Sequence, residues 1–176
     1  MILFVDTALK TNYIALFDGI KLVRYSSFPQ ADQLMAAMAA FNPPLENLEY
    51  LAVGTGPGSY TGVRQGVIAM QSLSFAKKLP LKGISSLEIF EKNEAEIIAT
   101  DAKIGGFYVL KGDSPEVVLK EKILEWMSQG YRFKSPDSEI LNRKCPEILF
   151  EMALLHFEAL GEKIAQKPFI PIEIHY

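Results

Sequence analysis

Apolar residues fall into short continuous runs set off by Gly, Pro, Asn and Asp, and longer segments of helical composition lie between them. ILFVD at 2–6 reads as a strand ending on a carboxylate. Segments 13–19 and 20–26 flank Asp18-Gly19, a strong short-range hairpin signal. Residues 30–41, rich in Ala, Leu and Met, predict a helix. Asn42-Pro43-Pro44 stops it, because proline cannot donate a backbone hydrogen bond and restricts the residue before it. A buried strand at 50–54 leads into a Gly-rich turn and a long helix over 63–79. A further strand is expected near 82–85 and a short helix over 85–90.

The second half repeats the theme with weaker signals. Strands are expected at 96–102, at 106–113 as a hairpin partner, and at 116–120. A helix over 122–130 is closed by Gly130. Residues 146–163 read as one amphipathic helix, with Pro146 near its start and Gly161 near its end. FIPIEIHY at 169–176 reads as a closing strand, with Pro171 favouring an edge. An apolar strand ending in Asp and followed by a hairpin thus occurs twice, at Asp6 and at Asp101. The expected class is α/β, with mixed sheets flanked by helices in two related lobes. The lobes are placed at 1–94 and 95–176, the second being smaller.

Charge and cysteine usage narrow the class. Net charge is −3, with 7 basic and 6 acidic side chains through Glu88 and 11 basic and 15 acidic ones after it. A domain that grips phosphates unaided carries a basic face, so nucleic acid is expected only through a partner. Cys145 is the one cysteine, which excludes an intramolecular disulfide and fits a reducing compartment. The first residues do not read as a secretory signal, and no apolar stretch approaches the ~20 residues that cross a bilayer. A cytoplasmic protein with no membrane association is expected.

The most distinctive stretch is GTGPGSYTGVRQG at 54–66. Following a strand and opening a helix, such a turn either exposes backbone N–H groups to an anion or serves as a tight turn capped by Ser59 or Thr61. It is neither a Walker A loop nor a Rossmann fingerprint. Around Ser59 the order Gly-Ser-Tyr-Thr-Gly is not the Gly-x-Ser-x-Gly elbow, and Cys145 precedes Pro146 with no evident activating partner. His156 and His175 form no metal-binding motif: His156 fits a core edge and His175 a solvated chain end, so no metal ligand is assigned. Asp6 and Asp101 at strand ends either cap turns or position Mg²⁺-bound water in a cleft.

Two helices carry a surplus of apolar or small residues. Leu34, Met35, Met38 and Phe41 cover more than one face of the first. Gly62 and Gly66 stand one turn apart in the second, with Ala69 and Met70 beyond. Helical glycine costs ~1 kcal/mol relative to alanine, so the pair implies close approach of another backbone, within the fold or from a partner. The expected partner face comprises Leu34, Met35, Met38, Gly62, Val63, Gly66, Met70 and Leu73.

The run VGTGPGSYTGVRQGVIAMQSLSFAKKLPLKGISSLE is similar, nearly without gaps, to the signature region of the TsaB (YeaZ) family. ILFVDTALKTNYIALFDG resembles that family's first hairpin, and ATDAKIGGFYVLKG its second-lobe strand. The resemblance spans roughly the first 110 residues. Two departures stand out: DTA replaces the family's DTS, and FPQADQLM lacks the histidine frequent there. The resemblance implies an actin-like (ASKHA) fold and a non-catalytic role in placing threonylcarbamoyl on the adenosine beside the anticodon of tRNA. The implied partners are a TsaD-like catalytic subunit and a TsaE-like ATPase, with tRNA reached only through the complex and a homodimer allowed. No cofactor is implied beyond weak ATP or ADP contact, for which Asp6, Thr7 and Asp101 are the candidates. The rival readings are an ASKHA-fold ATPase or phosphotransferase using Asp6 and Asp101, and a metallopeptidase-like protein.

Overall fold

The computed structural model describes residues 1–103, 105–112 and 114–169. These residues divide into two compact units, 1–86 with 157 onward, and 87–156.

In the first unit the strands are β1 (Ile2–Asp6), β2 (Asn12–Asp18), β3 (Lys21–Phe28), β4 (Tyr50–Gly54) and β5 (Leu81–Ile84). They form a sheet in the order β3-β2-β1-β4-β5. β2 runs antiparallel to β1 and β3, whereas β1, β4 and β5 are mutually parallel. Helices α1 (Leu34–Phe41) and α2 (Tyr60–Lys77) provide the crossovers into β4 and β5. Gly19 and Ile20 make the two-residue hairpin turn, and Gly19 takes φ +57°, which favours glycine. Asn42, also left-handed at φ 46°, caps α1 where the two prolines begin.

Helix α5 (Phe157–Gln166) belongs to this unit. Phe157 packs on Tyr13, Phe17 and Tyr25, and Gly161 lets the helix press on the Ile20 carbonyl, where a Cβ would collide. Tyr13 and Phe17 share a sheet face with Asp6 and Ile2, because paired residues of neighbouring strands point the same way. Alternate residues then face α2, which contacts β1 and β4. With both faces covered, β1 is buried at every position, so its sequence reads as a continuous apolar run rather than an alternation.

The second unit repeats the plan. Strands β6 (Glu96–Asp101), β7 (Phe107–Leu110), β8 (Pro115–Val118), β9 (Arg132–Ser135) and β10 (Phe150–Met152) are ordered β8-β7-β6-β9-β10. β6 is antiparallel to β7 and parallel to β9, which is parallel to β10. Helices α3 (Lys120–Ser128) and α4 (Ser138–Lys144) occupy the places of α1 and α2. Ile97, Phe107, Ile123, Trp126, Phe133, Leu141 and Phe150 are among the residues of its core. The Asn142 side chain accepts from Phe150 N–H (2.9 Å) and donates to Phe150 O (3.0 Å), taking up backbone groups of the edge strand β10.

Each half therefore carries two hairpin-joined antiparallel strands, a third, and then helix, strand, helix, strand. This is the actin-like architecture that the family resemblance implies, and it agrees with the repeated strand-Asp-hairpin.

Several expectations need correction. The lobe boundary falls at 86/87 rather than 94/95, and the chain returns to the first unit at Phe157 because α5 buries Phe157, Leu160 and Ile164 there. The single helix expected over 146–163 is strand β10 followed by α5. Phe150 packs on Phe107 and Phe133 (ring centroids 5.7 and 6.0 Å), and pairing with β9 overrides the local helical pattern. His156 accordingly precedes α5 and donates its backbone N–H to Ile89 O rather than standing on a helix face. β9 and α4 had no counterpart in the sequence reading. The helix expected over 30–41 begins as a 3-10 turn, Ala31–Gln33, before α1. Most of the closing strand expected at 169–176, with Pro171 and His175, lies outside the described residues.

Candidate functional site

Asp6 ends β1 fully buried, and its Oδ1 accepts from Ala8 N–H at 2.8 Å. Asp101 ends β6 in the corresponding place, and its Oδ1 accepts from Lys103 N–H at 2.9 Å. Both aspartates thus close the same Asx turn two residues on. Their electrostatics differ. Burial pushes the Asp6 carboxyl up to about 6, against the lesser pull of Ser86 and of the Ala8 N–H. The Ser86 hydroxyl accepts from Gly56 N–H and lies close to Asp6, whose Oδ2 makes no well-formed hydrogen bond among the described residues. For Asp101, partial burial is outweighed by the Lys144 ammonium at 2.7 Å and the Lys103 N–H, so its carboxyl lies below the usual range.

Thr7, the third nucleotide candidate, is buried and donates its hydroxyl to Gly62 O at 2.7 Å. That bond joins the β1 end to the start of α2. A Cβ on Gly62 would fall on the Thr7 carbonyl oxygen, one on Gly66 on Thr7 Oγ1, and one on Gly58 on the Ala8 carbonyl oxygen. The close neighbour implied by the paired glycines is therefore the chain's own β1 loop.

Backbone donors of the Gly-rich turn are largely committed within the fold. Thr55 N–H bonds Ile84 O (2.8 Å), Gly56 N–H the Ser86 hydroxyl (3.1 Å), and Ser59 N–H Ala8 O (2.6 Å). Ser59 caps α2 by accepting from Gly62 N–H at 3.3 Å. Of the two readings of the turn, the geometry is that of the capped structural one.

The expected partner face divides in two. Gly62, Val63 and Gly66 are buried in the first unit and so do not belong to an open face, because they pack against the β1 loop and the sheet. Leu34, Met35, Met38, Met70 and Leu73 instead line an apolar groove of about 330 Å³ between α1 and α2. Leu34 and Met70 are buried there, whereas Met35 is 71% exposed. Ala39, Asn42, Pro43, Leu45 and Ala69, which lie outside the expected partner face, complete the walls. The turn at Asn42-Pro43 was visible only as a helix stop, and its second role depends on where the chain goes afterwards. Ile68 and Phe75 (56% and 88% exposed) add apolar surface to the outer side of α2. Among the described residues, no group of three or more His, Cys, Asp or Glu side chains is arranged to hold a metal ion. No helix among them is long and apolar enough to cross a membrane.

The family model of TsaD, tRNA N6-adenosine threonylcarbamoyltransferase, matches residues 31–135. The tRNA threonylcarbamoyladenosine biosynthesis protein TsaB of Escherichia coli is 29% identical over 73% of this chain and 70% of its own length. The Bacillus subtilis protein of the same name is 27% identical over 96% of this chain and 79% of its own length. In fold, the structure of YeaZ from Pseudomonas aeruginosa superposes with a TM-score of 0.67 at 24% identity, covering 93% of this chain and 90% of that one. The signature run, the duplicated sheets and these likenesses agree: the chain belongs to the TsaB (YeaZ) family.

Proposed function

We propose that this protein is a non-catalytic subunit in tRNA threonylcarbamoyladenosine biosynthesis, which binds and activates a TsaD-like catalytic subunit. The observation that carries this reading is the apolar groove between α1 and α2, with Met35 exposed and Met38 half-buried in its lining. Methionines lining an apolar groove among small residues suit a helix-sized apolar surface of a partner, because an unbranched thioether side chain adapts to the contour it meets. The family supports the choice of pathway, and the duplicated fold suits pairing with a subunit of similar architecture. Of Asp6 and Asp101, which a phosphotransferase reading would use, Asp6 is enclosed and closes a turn on Ala8, and Asp101 is paired with Lys144. A TsaE-like ATPase and tRNA would join through the assembled complex, in the cytoplasm.

The test combines the chain with a TsaD-like subunit, its remaining partners and tRNA, and measures the modified nucleoside. Modification should require the chain, and Met35→Glu with Met38→Glu should weaken subunit binding at least about tenfold while the melting temperature stays near the parent's. A buried charge that cannot pair is what disrupts the contact. Unaltered binding would place the contact elsewhere. ATP turnover by the isolated chain, lost in Asp6→Ala, would favour the phosphotransferase reading instead.

A further inference from the structure

Three methionines line the groove between α1 and α2, and they meet solvent to very different degrees. Met70, on α2, is buried, Met38 is half-buried, and Met35, in the first turn of α1, is exposed. Of the six methionines in the chain Met35 is the most open, at 71% against 54% for Met152 and 39% for Met127 in the second unit. A thioether is apolar, yet a hydroperoxide converts it to a polar sulfoxide at a rate that follows access to the sulfur.

The surroundings decide what that change costs. Helix α1, LMAAMAAF, carries no charged or hydrogen-bonding side chain. Among the described residues lining the groove, Asn42 alone has a polar side chain. It caps the far end of α1, about 10 Å from Met35 along the helix axis. A sulfoxide oxygen at Met35 is therefore a strong acceptor set on an alkyl wall, and an apolar partner surface that covers it offers no donor.

We propose that Met35 is a redox-sensitive modification site, whose oxidation to the sulfoxide weakens partner binding at the groove and whose reduction restores it. This rests on the groove being the contact with a TsaD-like subunit. In the oxidation the O–O bond of hydrogen peroxide breaks, one oxygen bonds to the Met35 sulfur and the other leaves as water. The sulfur gives up two electrons and the peroxide takes them. A thiol-dependent sulfoxide reductase reverses the step, two thiols becoming a disulfide as the oxygen departs as water.

The test treats the isolated chain with hydrogen peroxide until Met35 is converted, removes the oxidant, and follows two quantities. Peptide mass spectrometry reports the sites oxidised, and titration with a TsaD-like subunit reports binding. Met35 should oxidise at least about tenfold faster than Met70. Its sulfoxide should weaken binding at least about fivefold, with the melting temperature near the untreated parent's. Sulfoxide reductase should restore binding. Peroxide should leave the affinity of Met35→Leu unchanged, although Met152 and Met127 still oxidise in it. Oxidation of Met35 no faster than that of Met70 overturns the proposal, as does a peroxide-induced loss of binding that persists in Met35→Leu. Met35→Glu with Met38→Glu separates the proposal from its basis. If that double variant loses binding while the Met35 sulfoxide binds like the parent, the redox proposal alone fails. If the double variant binds like the parent, the groove is not the contact and both readings fail.

Discussion

Asp6 and Asp101 hold the same place in the two halves, and their difference is a matter of solvent and neighbours. Asp6 is sealed against Gly54, where a Cβ would overlap its carboxylate, while Asp101 reaches Lys144 at the surface. A carboxyl raised from the ordinary 3.8 to about 6 binds its proton more tightly folded than unfolded. Between those values the folded state holds more protons, so stability falls as pH rises through the window, and the full penalty is felt above about pH 6. At 1.36 kcal/mol per pKa unit the difference is about 3 kcal/mol, an upper figure for a site that can relax. Asp101 acts in the opposite sense, contributing stability that is lost as pH falls below the normal carboxylate range. Asp6→Asn, which keeps the Ala8 N–H bond, should therefore flatten the urea midpoint between pH 4 and 6 relative to the parent. A variant that retains the parent's slope would show that another group is responsible. The sequence revealed both aspartates and the turn-capping role, because Asp at a strand end followed by a hairpin is a local pattern. It did not reveal their unequal burial, which depends on Gly54 and Ser86 arriving from elsewhere in the chain.

At the scale of elements, α2 carries the clearest lesson. The glycine pair was legible as close backbone approach, but the sequence does not specify which backbone approaches. Thr7 supplies it in two ways, through a carbonyl oxygen at Gly62 and a hydroxyl at Gly66. Gly66→Ala should destabilise by up to about 2 kcal/mol, the overpacking of about 1–3 kcal/mol less the helix-propensity gain of ~1 kcal/mol. Thr7→Ala removes the hydroxyl, so Gly66→Ala should cost much less in that background. Gly62→Ala should gain no such relief, since a main-chain oxygen cannot be deleted. Thermal melts of the two double-mutant cycles separate these outcomes, and equal coupling in both would refute the geometry. The misread segment 146–163 failed for a related reason. Phe150 and its neighbours carry apolar spacing compatible with a helix, and only the stacking of Phe150 on Phe107 across the sheet decides for a strand.

For the molecule as a whole, the duplicated order of strands and helices was partly visible as the paired strand-Asp-hairpin, and the first unit's elements were largely readable. The return of α5 was not, because nothing local marks a helix as belonging to residues well over a hundred positions earlier. Phe157, Leu160 and Ile164 bury about 1.5–3 kcal/mol each by apolar transfer, a large share of the ~5–15 kcal/mol that holds a domain. A fragment ending at residue 94 should therefore lack a cooperative melt, with its Tyr13, Phe17 and Tyr25 face uncovered. Adding a peptide of residues 157–169 should restore one. A cooperative transition in the fragment alone would show that α5 is dispensable.

Asn142 has a consequence for how the protein behaves in a crowded solution. β10 is an edge strand that carries Met152 and is flanked by Leu149 and Leu154, exposed at 54%, 71% and 61%, a composition that invites another chain to add a strand. By occupying both main-chain groups of Phe150, the Asn142 amide stands in for that strand and denies it a template. Asn142→Ala should leave the melting temperature within a few degrees of the parent's, yet show faster growth of light scattering at high protein concentration. The same residue that looks like a minor helix-to-strand tie thus acts as a guard against polymerisation, and its value would be missed by any measurement made on dilute protein.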